Sequence, residues 1–261
     1  MQINVYQVDA FANKPFEGNP AAICPLSEWL PEQLLQAIAS ENNLSETAFF
    51  VPNDDGYELR WFTPSTEVDL CGHATLATAY VLFEELGYEG EEIRFTTKSG
   101  ELSVVRSGES LRMNFPAQIP VPHELPSQLV AAFGTTPEDC LKFADIIAVF
   151  SSEDLVRSAD PDMSLLEQLD CRGIIITAES QNYDFVARWF GPRTGIKEDP
   201  VTGSAFTQLV PYWANRLGKS KFEAKQLSQR GGEVSCELLG DRVFISGKAV
   251  IYMRGIIDIE V

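Results

Sequence analysis

The sequence predicts an α+β protein made of two copies of one unit, and three internal correspondences predict it. Arg60-Trp61-Phe62-Thr63-Pro64 returns as Arg188-Trp189-Phe190-Gly191-Pro192. Each copy then runs through a polar loop to a glycine, Gly72 or Gly203, that opens a helical pattern ending at a second glycine fifteen positions on, Gly87 or Gly218. Farther along, Ser99-Gly100-Glu101-Leu102-Ser103 answers to Gly231-Gly232-Glu233-Val234-Ser235, and Gly108 and Gly240 follow at the same offset of eight. Spacing weighs more here than identity, because chance would have to hold separate features in register across two halves. A duplicated unit accounts for all of them.

The elements follow in order. Alternation over residues 3–9 predicts a strand, residues 31–39 a helix with proline at its start, and residues 47–51 a second strand. The glycine-bounded patterns predict helices over 74–86 and 205–217, each stopped by its glycine. In the second half, residues 146–150 read as a strand, 164–169 as a short helix capped by its serine, and 173–177 as a buried strand. Pro116, Pro120, Pro122 and Pro126 cannot lie inside a helix or a central strand, so this stretch reads as the linker. The expected domains are 1–117 and 118–261, with matching halves over 3–117 and 146–249. Residues 250–261 have no counterpart and read as a closing strand that packs back on the first domain.

Composition narrows the functional classes. A chain of 261 residues, 44% hydrophobic, can bury the cores of two domains. A formal charge of -18 opposes nucleic-acid phosphates and anionic membrane surfaces, so neither is an expected partner. Met1-Gln2-Ile3-Asn4-Val5 has no basic segment followed by an apolar one, and no run approaches the roughly 18 apolar residues of a membrane span. The expectation is a cytoplasmic protein. Five widely spaced cysteines fit reduced thiols, and with only His73 and His123 present no His or Cys pair has metal-ligand spacing, so no metal is expected. Neither Gly-x-Gly-x-x-Gly nor Gly-x-x-x-x-Gly-Lys occurs, which leaves no nucleotide cofactor to expect.

The repeat makes His73 and Ser204 equivalents, each just after the glycine that opens its helix. Free N–H groups at a helix start suit a carboxylate or enolate oxygen, and Gly72 and Gly203 let the backbone come close. Plain capping by Ser204 and a satisfied polar role for His73 are the alternative reading. Counting back from Arg60 and Arg188 sets Glu46 opposite Ile174, so the acid stands in one half only, beside the apolar strand Thr47-Ala48-Phe49-Phe50-Val51. Partial loss of water there would make it a better base; a side chain pointing to solvent is the alternative. Asp199, on a loop three residues longer than its mate, could accept a hydrogen bond from a substrate amine or hydroxyl, or could simply cap a turn before proline.

Taken together, Asp9-Ala10-Phe11 with Gly18-Asn19-Pro20-Ala21, Ser45-Glu46-Thr47-Ala48-Phe49, Cys71-Gly72-His73-Ala74-Thr75 and Asp199-Pro200-Val201-Thr202-Gly203-Ser204-Ala205 resemble the PhzF-like family of phenazine-biosynthesis isomerases. The family is related to diaminopimelate epimerase and proline racemase. The resemblance implies two similar domains, each a β-barrel-like sheet around a central helix, an active site between them, and a homodimer. It implies a cofactor-free isomerisation of trans-2,3-dihydro-3-hydroxyanthranilate or another small carboxylated molecule, with Glu46 shuttling the proton. His73, Asp199 and Ser204 would then bind substrate and relay protons, with Asn19, Ser45, Gly72 and Gly203 as further binding positions.

Three other readings compete. Cys71-Gly72-His73 also resembles the thiol motif of proline racemase, which would make Cys71 a base; the second half offers only Thr202 where a partner thiol should stand, and a hydroxyl is too weak an acid for that part. His73, Asp199 and Ser204 are the residue types of a hydrolase triad, but Thr-Gly-Ser-Ala is not a nucleophile elbow. The third reading is a small-acid-binding protein without turnover.

Overall fold

Residues 1–259 are described by the computed structural model. They form two units: Met1–Asn114 together with the chain's return from Ser246, and the intervening Phe115–Ile245.

In the first unit, β1 (Gln2–Ala10) pairs antiparallel with β2 (Asn19–Pro25), and β2 runs parallel to β3 (Glu46–Asn53) after the crossover helix α1 (Glu32–Asn42). From β3 the ladder continues antiparallel to β4 (Gly56–Phe62), which carries the short β5 (Glu67–Val68). After α2 (Gly72–Tyr80), β6 (Glu92–Thr97) lies parallel to β4, and β7 (Gly100–Ser107) and β8 (Ser110–Pro116) follow antiparallel.

The second unit repeats this order. After β9 (Val121–Pro122) and α3 (Ser127–Phe133), β10 (Asp139–Lys142) pairs antiparallel with β11 (Ile146–Val149). The short helices α4 (Glu153–Arg157) and α5 (Met163–Leu166) lead to β12 (Ile174–Glu179), parallel to β11 and antiparallel to β13 (Phe185–Gly191). β14 (Ile196–Asp199) pairs with β13, and after α6 (Gly203–Leu217) β15 (Lys221–Gln226) lies parallel to β13 and antiparallel to β16 (Gly232–Leu239). The chain leaves through β17 (Arg242–Gly247), and β18 (Ala249–Asp258) pairs with β1 along its length.

Each unit wraps its sheet around one helix. Residues His73 to Ala79 of α2 are all buried, as expected of a helix enclosed on every side, and α2 touches β1, β2, β3, β7 and β18. In the second unit, Trp213 of α6 stacks on Phe185 of β13 with ring centroids 5.5 Å apart and donates from Nε1 to Thr177 Oγ1 of β12 at 3.1 Å. Outside the first sheet, α1 lays Leu35, Ile38 and Ala39 against Phe49, Val51 and Phe62.

Three local expectations change. The helix expected over 74–86 keeps α-geometry only to Tyr80 and continues as a single wider turn, Val81–Glu85. Its mate α6 stays regular despite Pro211: the Thr207 carbonyl that proline leaves without an intrahelical donor receives Gln118 N–H at 3.0 Å. The short helix capped at Ser164 in the sequence reading starts instead from Asp162, whose side chain accepts from Ser164 N–H at 2.9 Å. The proline-dense linker is not free of structure, because Val121–Pro122 pairs with β10 and Pro126 leads into α3.

The ladder also corrects the register of the repeat. Arg60 pairs with Phe49, three residues after Glu46, whereas Arg188 pairs with Ile176, three residues after Gly173. Glu46 therefore corresponds to Gly173, not Ile174. The hairpin of the second copy holds one more residue than that of the first, which counting along the chain cannot see.

Candidate active site

Glu46 opens β3, opposite Ala21 of β2, and Asn19 opens β2 itself. The loop before α2 ends at Cys71, which takes extended backbone angles at the cap position but brings no side-chain oxygen to cap the helix. Its carbonyl instead receives Thr75 N–H at 3.1 Å and Thr75 Oγ1–H at 2.6 Å. This opening turn holds His73 inside the unit, 4% exposed.

Four side chains meet there. His73 Nε2 is 3.1 Å from Glu46 Oε2, and the Glu46 side chain is only 12% exposed, so it does not point to bulk water. On the other edge of the ring, Nδ1 is 3.2 Å from Asn19 Nδ2 and 3.5 Å from Cys71 Sγ. The Glu46–His73 approach is that of an ion pair, but it is not aligned as a hydrogen bond. Both facing atoms thus retain hydrogen-bonding capacity among the described residues. Ser45 precedes this acid half-buried, and Gly72 precedes His73 at the helix start.

Electrostatics sets the charge of the group. Burial opposes a positive His73, but Cys71 and Glu46 outweigh it and hold the imidazole well above its ordinary range. Burial first, with Glu46 adding to it, pushes the Cys71 thiol up to about 11. A thiol that far from ionising is a poor base near neutral pH.

The fold thus gathers a Cys, a His and a Glu that have no ligand spacing in the sequence, their donor atoms lying within 4.8 Å of one another. Cys71 faces Nδ1 and Glu46 faces Nε2, on opposite edges of the ring, and the thiol resists the ionisation that binding a metal requires.

In the second unit Asp199 ends β14 buried, and its carboxylate accepts Thr202 Oγ1–H at 2.6 Å. Gln226, fully buried, ties the same loop together: Nε2 donates to Asp199 O at 2.7 Å, and Oε1 accepts Thr202 N–H at 2.9 Å. Thr202 is the cap residue of α6 but spends its hydroxyl on Asp199. Gly203 is buried at the first helical position. Ser204, the second, is not a plain cap, for its Oγ accepts from Arg172 Nη1 at 3.1 Å.

Arg172, Asp145, Gln208 and Gln226 were not found from the sequence. A signal was present for two of them: Asp145 and Arg172 stand just ahead of the apolar strands β11 and β12, whose parallel register matches Ile146 with Ile174 and so brings their leading residues together. The two glutamines carried no local signal, because their partners lie far off in the chain.

Comparison with known proteins identifies the family. The PhzC-PhzF profile, described as phenazine biosynthesis-like protein, matches residues 8–255. An uncharacterized isomerase of Pseudomonas aeruginosa is 55% identical over 255 residues, 98% of either chain. A crystal structure of a PhzF-family phenazine biosynthesis protein from Enterococcus faecalis is similar with a TM-score of 0.97 at 45% identity, covering 99% of this chain and 100% of that one. A hydroxyproline epimerase from Agrobacterium vitis, at 11% identity and a TM-score of 0.64 over 98% of this chain and 92% of that one, shares the fold alone. Along nearly its whole length, then, the chain belongs to the PhzC-PhzF family of phenazine biosynthesis-like proteins, and it is an isomerase.

Proposed function

We propose that the enzyme moves a proton between carbons of a small carboxylated substrate without a cofactor, with Glu46 as the general acid and base. The leading candidate is a trans-2,3-dihydro-3-hydroxyanthranilate-like compound. One observation carries this reading: the Glu46 carboxylate stands 3.1 Å from a buried imidazole, both facing atoms having hydrogen-bonding capacity to spare.

The step balances within the substrate. Glu46 takes a proton from one carbon, the electron pair left behind enters the neighbouring unsaturation, and the resulting carboxylic acid returns the proton to another carbon. His73, held in its charged form, opposes the negative charge that builds on the substrate and can donate in turn. Asn19 suits both states of that ring. Its amide can turn nitrogen toward a neutral Nδ1 or oxygen toward a protonated one. We assign substrate binding to Asn19, Ser45, Gly72, Asp199, Gly203 and Ser204.

The racemase-like alternative, with Cys71 as base, is disfavoured by the thiol pushed up to about 11 and by Thr202, which gives its hydroxyl proton to Asp199. Assaying purified enzyme with trans-2,3-dihydro-3-hydroxyanthranilate and other small unsaturated acids in heavy water tests the proposal. Deuterium on a product carbon supports it, and binding with no turnover of any would favour a protein that only holds small acids.

A further inference from the structure

Arg172 takes no part in the proton transfer above, yet it is firmly anchored. It stands one residue before Gly173, so the ladder makes it the counterpart of Ser45, next to the position that Glu46 takes in the first copy. Nε donates at 2.9 Å, and Nη2 also donates, to the carboxylate of Asp145, which is fully buried. Gln208 of α6 holds the same carboxylate from Nε2 at 2.7 Å and receives Asp145 N–H on Oε1 at 3.2 Å. The third Arg172 bond runs from Nη1 to Ser204 Oγ.

That leaves a surplus of donors. A guanidinium has five N–H groups, three of which these bonds commit, and the Arg172 side chain is 41% exposed. Ser204 Oγ already accepts from Arg172, so its own proton is free to donate elsewhere. Trp189, its ring centroid 5.7 Å from the guanidinium carbon, is buried with Nε1 unpartnered among the described residues. A fixed cation with unspent N–H and O–H donors around it calls for an anion. A planar two-oxygen anion matches the guanidinium fork.

We propose that Arg172, with Ser204, binds the carboxylate of the substrate and gives the enzyme its preference for acids over neutral analogues. The assignment rests on the small-carboxylate reading of the substrate but not on which residue is the base. A purely structural Arg172 would only answer the charges of Asp145 and Asp199, and the experiment separates the two.

Benzoate and benzamide, alike in shape and different in charge, are compared by ligand-observed NMR. Wild-type and Glu46→Gln proteins should both bind benzoate about tenfold or more tightly than benzamide, a difference usual for a charged bidentate contact. Removing Arg172 alone would strand buried Asp145, so the main variant is Asp145→Asn with Arg172→Gln, a neutral amide pair of similar shape. It should stay folded by near-ultraviolet circular dichroism and lose the preference. Arg172→Lys keeps the charge beside Asp145 but not the fork, and should lose part of it. An unchanged preference in either folded variant, or no preference in the wild type, overturns the assignment. An active Glu46→Gln enzyme would instead overturn the base and leave this result standing.

Discussion

Trp189 lies so close over Gly173 that a Cβ on the glycine would stand 2.4 Å from indole Cζ2 and 2.7 Å from Nε1. Because Gly173 corresponds to Glu46, the second copy cannot carry an acid there without displacing a buried ring. Trp189 is also confined from Gly191, where a Cβ would meet its Cη2 at 2.1 Å. The asymmetry between the halves is thus built into the packing.

Gly173→Ala should accordingly lower stability by about 1–3 kcal/mol, the usual cost of overpacking a filled core. Chemical denaturation with the tryptophan signal as readout checks this. An unchanged midpoint would mean that the indole moves aside freely.

The thiols give a second test. Burial pushes Cys71 up to about 11 and Cys24 up to about 12, and it raises Cys236 as well. Cys140 and Cys171 are only half-buried. Iodoacetamide at neutral pH should therefore modify Cys140 and Cys171 first, as read by peptide mass spectrometry, since the thiolate is the reactive form. Early modification of Cys71 would show an ionised thiol and revive the racemase-like reading.

Stability should vary with pH through His73. Its folded-state pKa lies well above the ordinary 6.5, so the folded protein holds this proton more tightly than the unfolded chain does. The stabilisation is complete below about pH 6.5 and is lost as pH rises through the raised value. Urea midpoints of wild type and His73→Gln, measured from pH 5 to 9, should differ most at the acidic end. A difference that grows with rising pH would contradict the assigned charge.

Much of this was legible in the chain because duplication writes itself as spacing. Arg60-Trp61-Phe62 and Arg188-Trp189-Phe190 lie on equivalent strands β4 and β13, and the glycines mark where α2 and α6 begin. The solitary acid was visible for the same reason. Its exact mate was not, since one extra residue in a hairpin leaves spacing on either side unchanged. The contacts that tune the site were hidden because each crosses many residues: Asp145 meets Gln208 63 positions on, and Gln226 reaches back 27 to Asp199. The Glu46–Cys71–His73 cluster was hidden likewise, for only the folding of β3 against α2 brings its members together.

The central claim is that Glu46, not Cys71, moves the proton, and turnover by Glu46→Gln and Cys71→Ser enzymes in heavy water tests it most directly. Glutamine keeps the shape and removes the base, so turnover and deuterium incorporation should fall by about 10²-fold or more, the scale of a general acid–base group. Cys71→Ser should remain active with a mild loss. A folded Glu46→Gln enzyme that still exchanges the proton at the wild-type rate, beside a folded but inactive Cys71→Ser enzyme, would contradict the account.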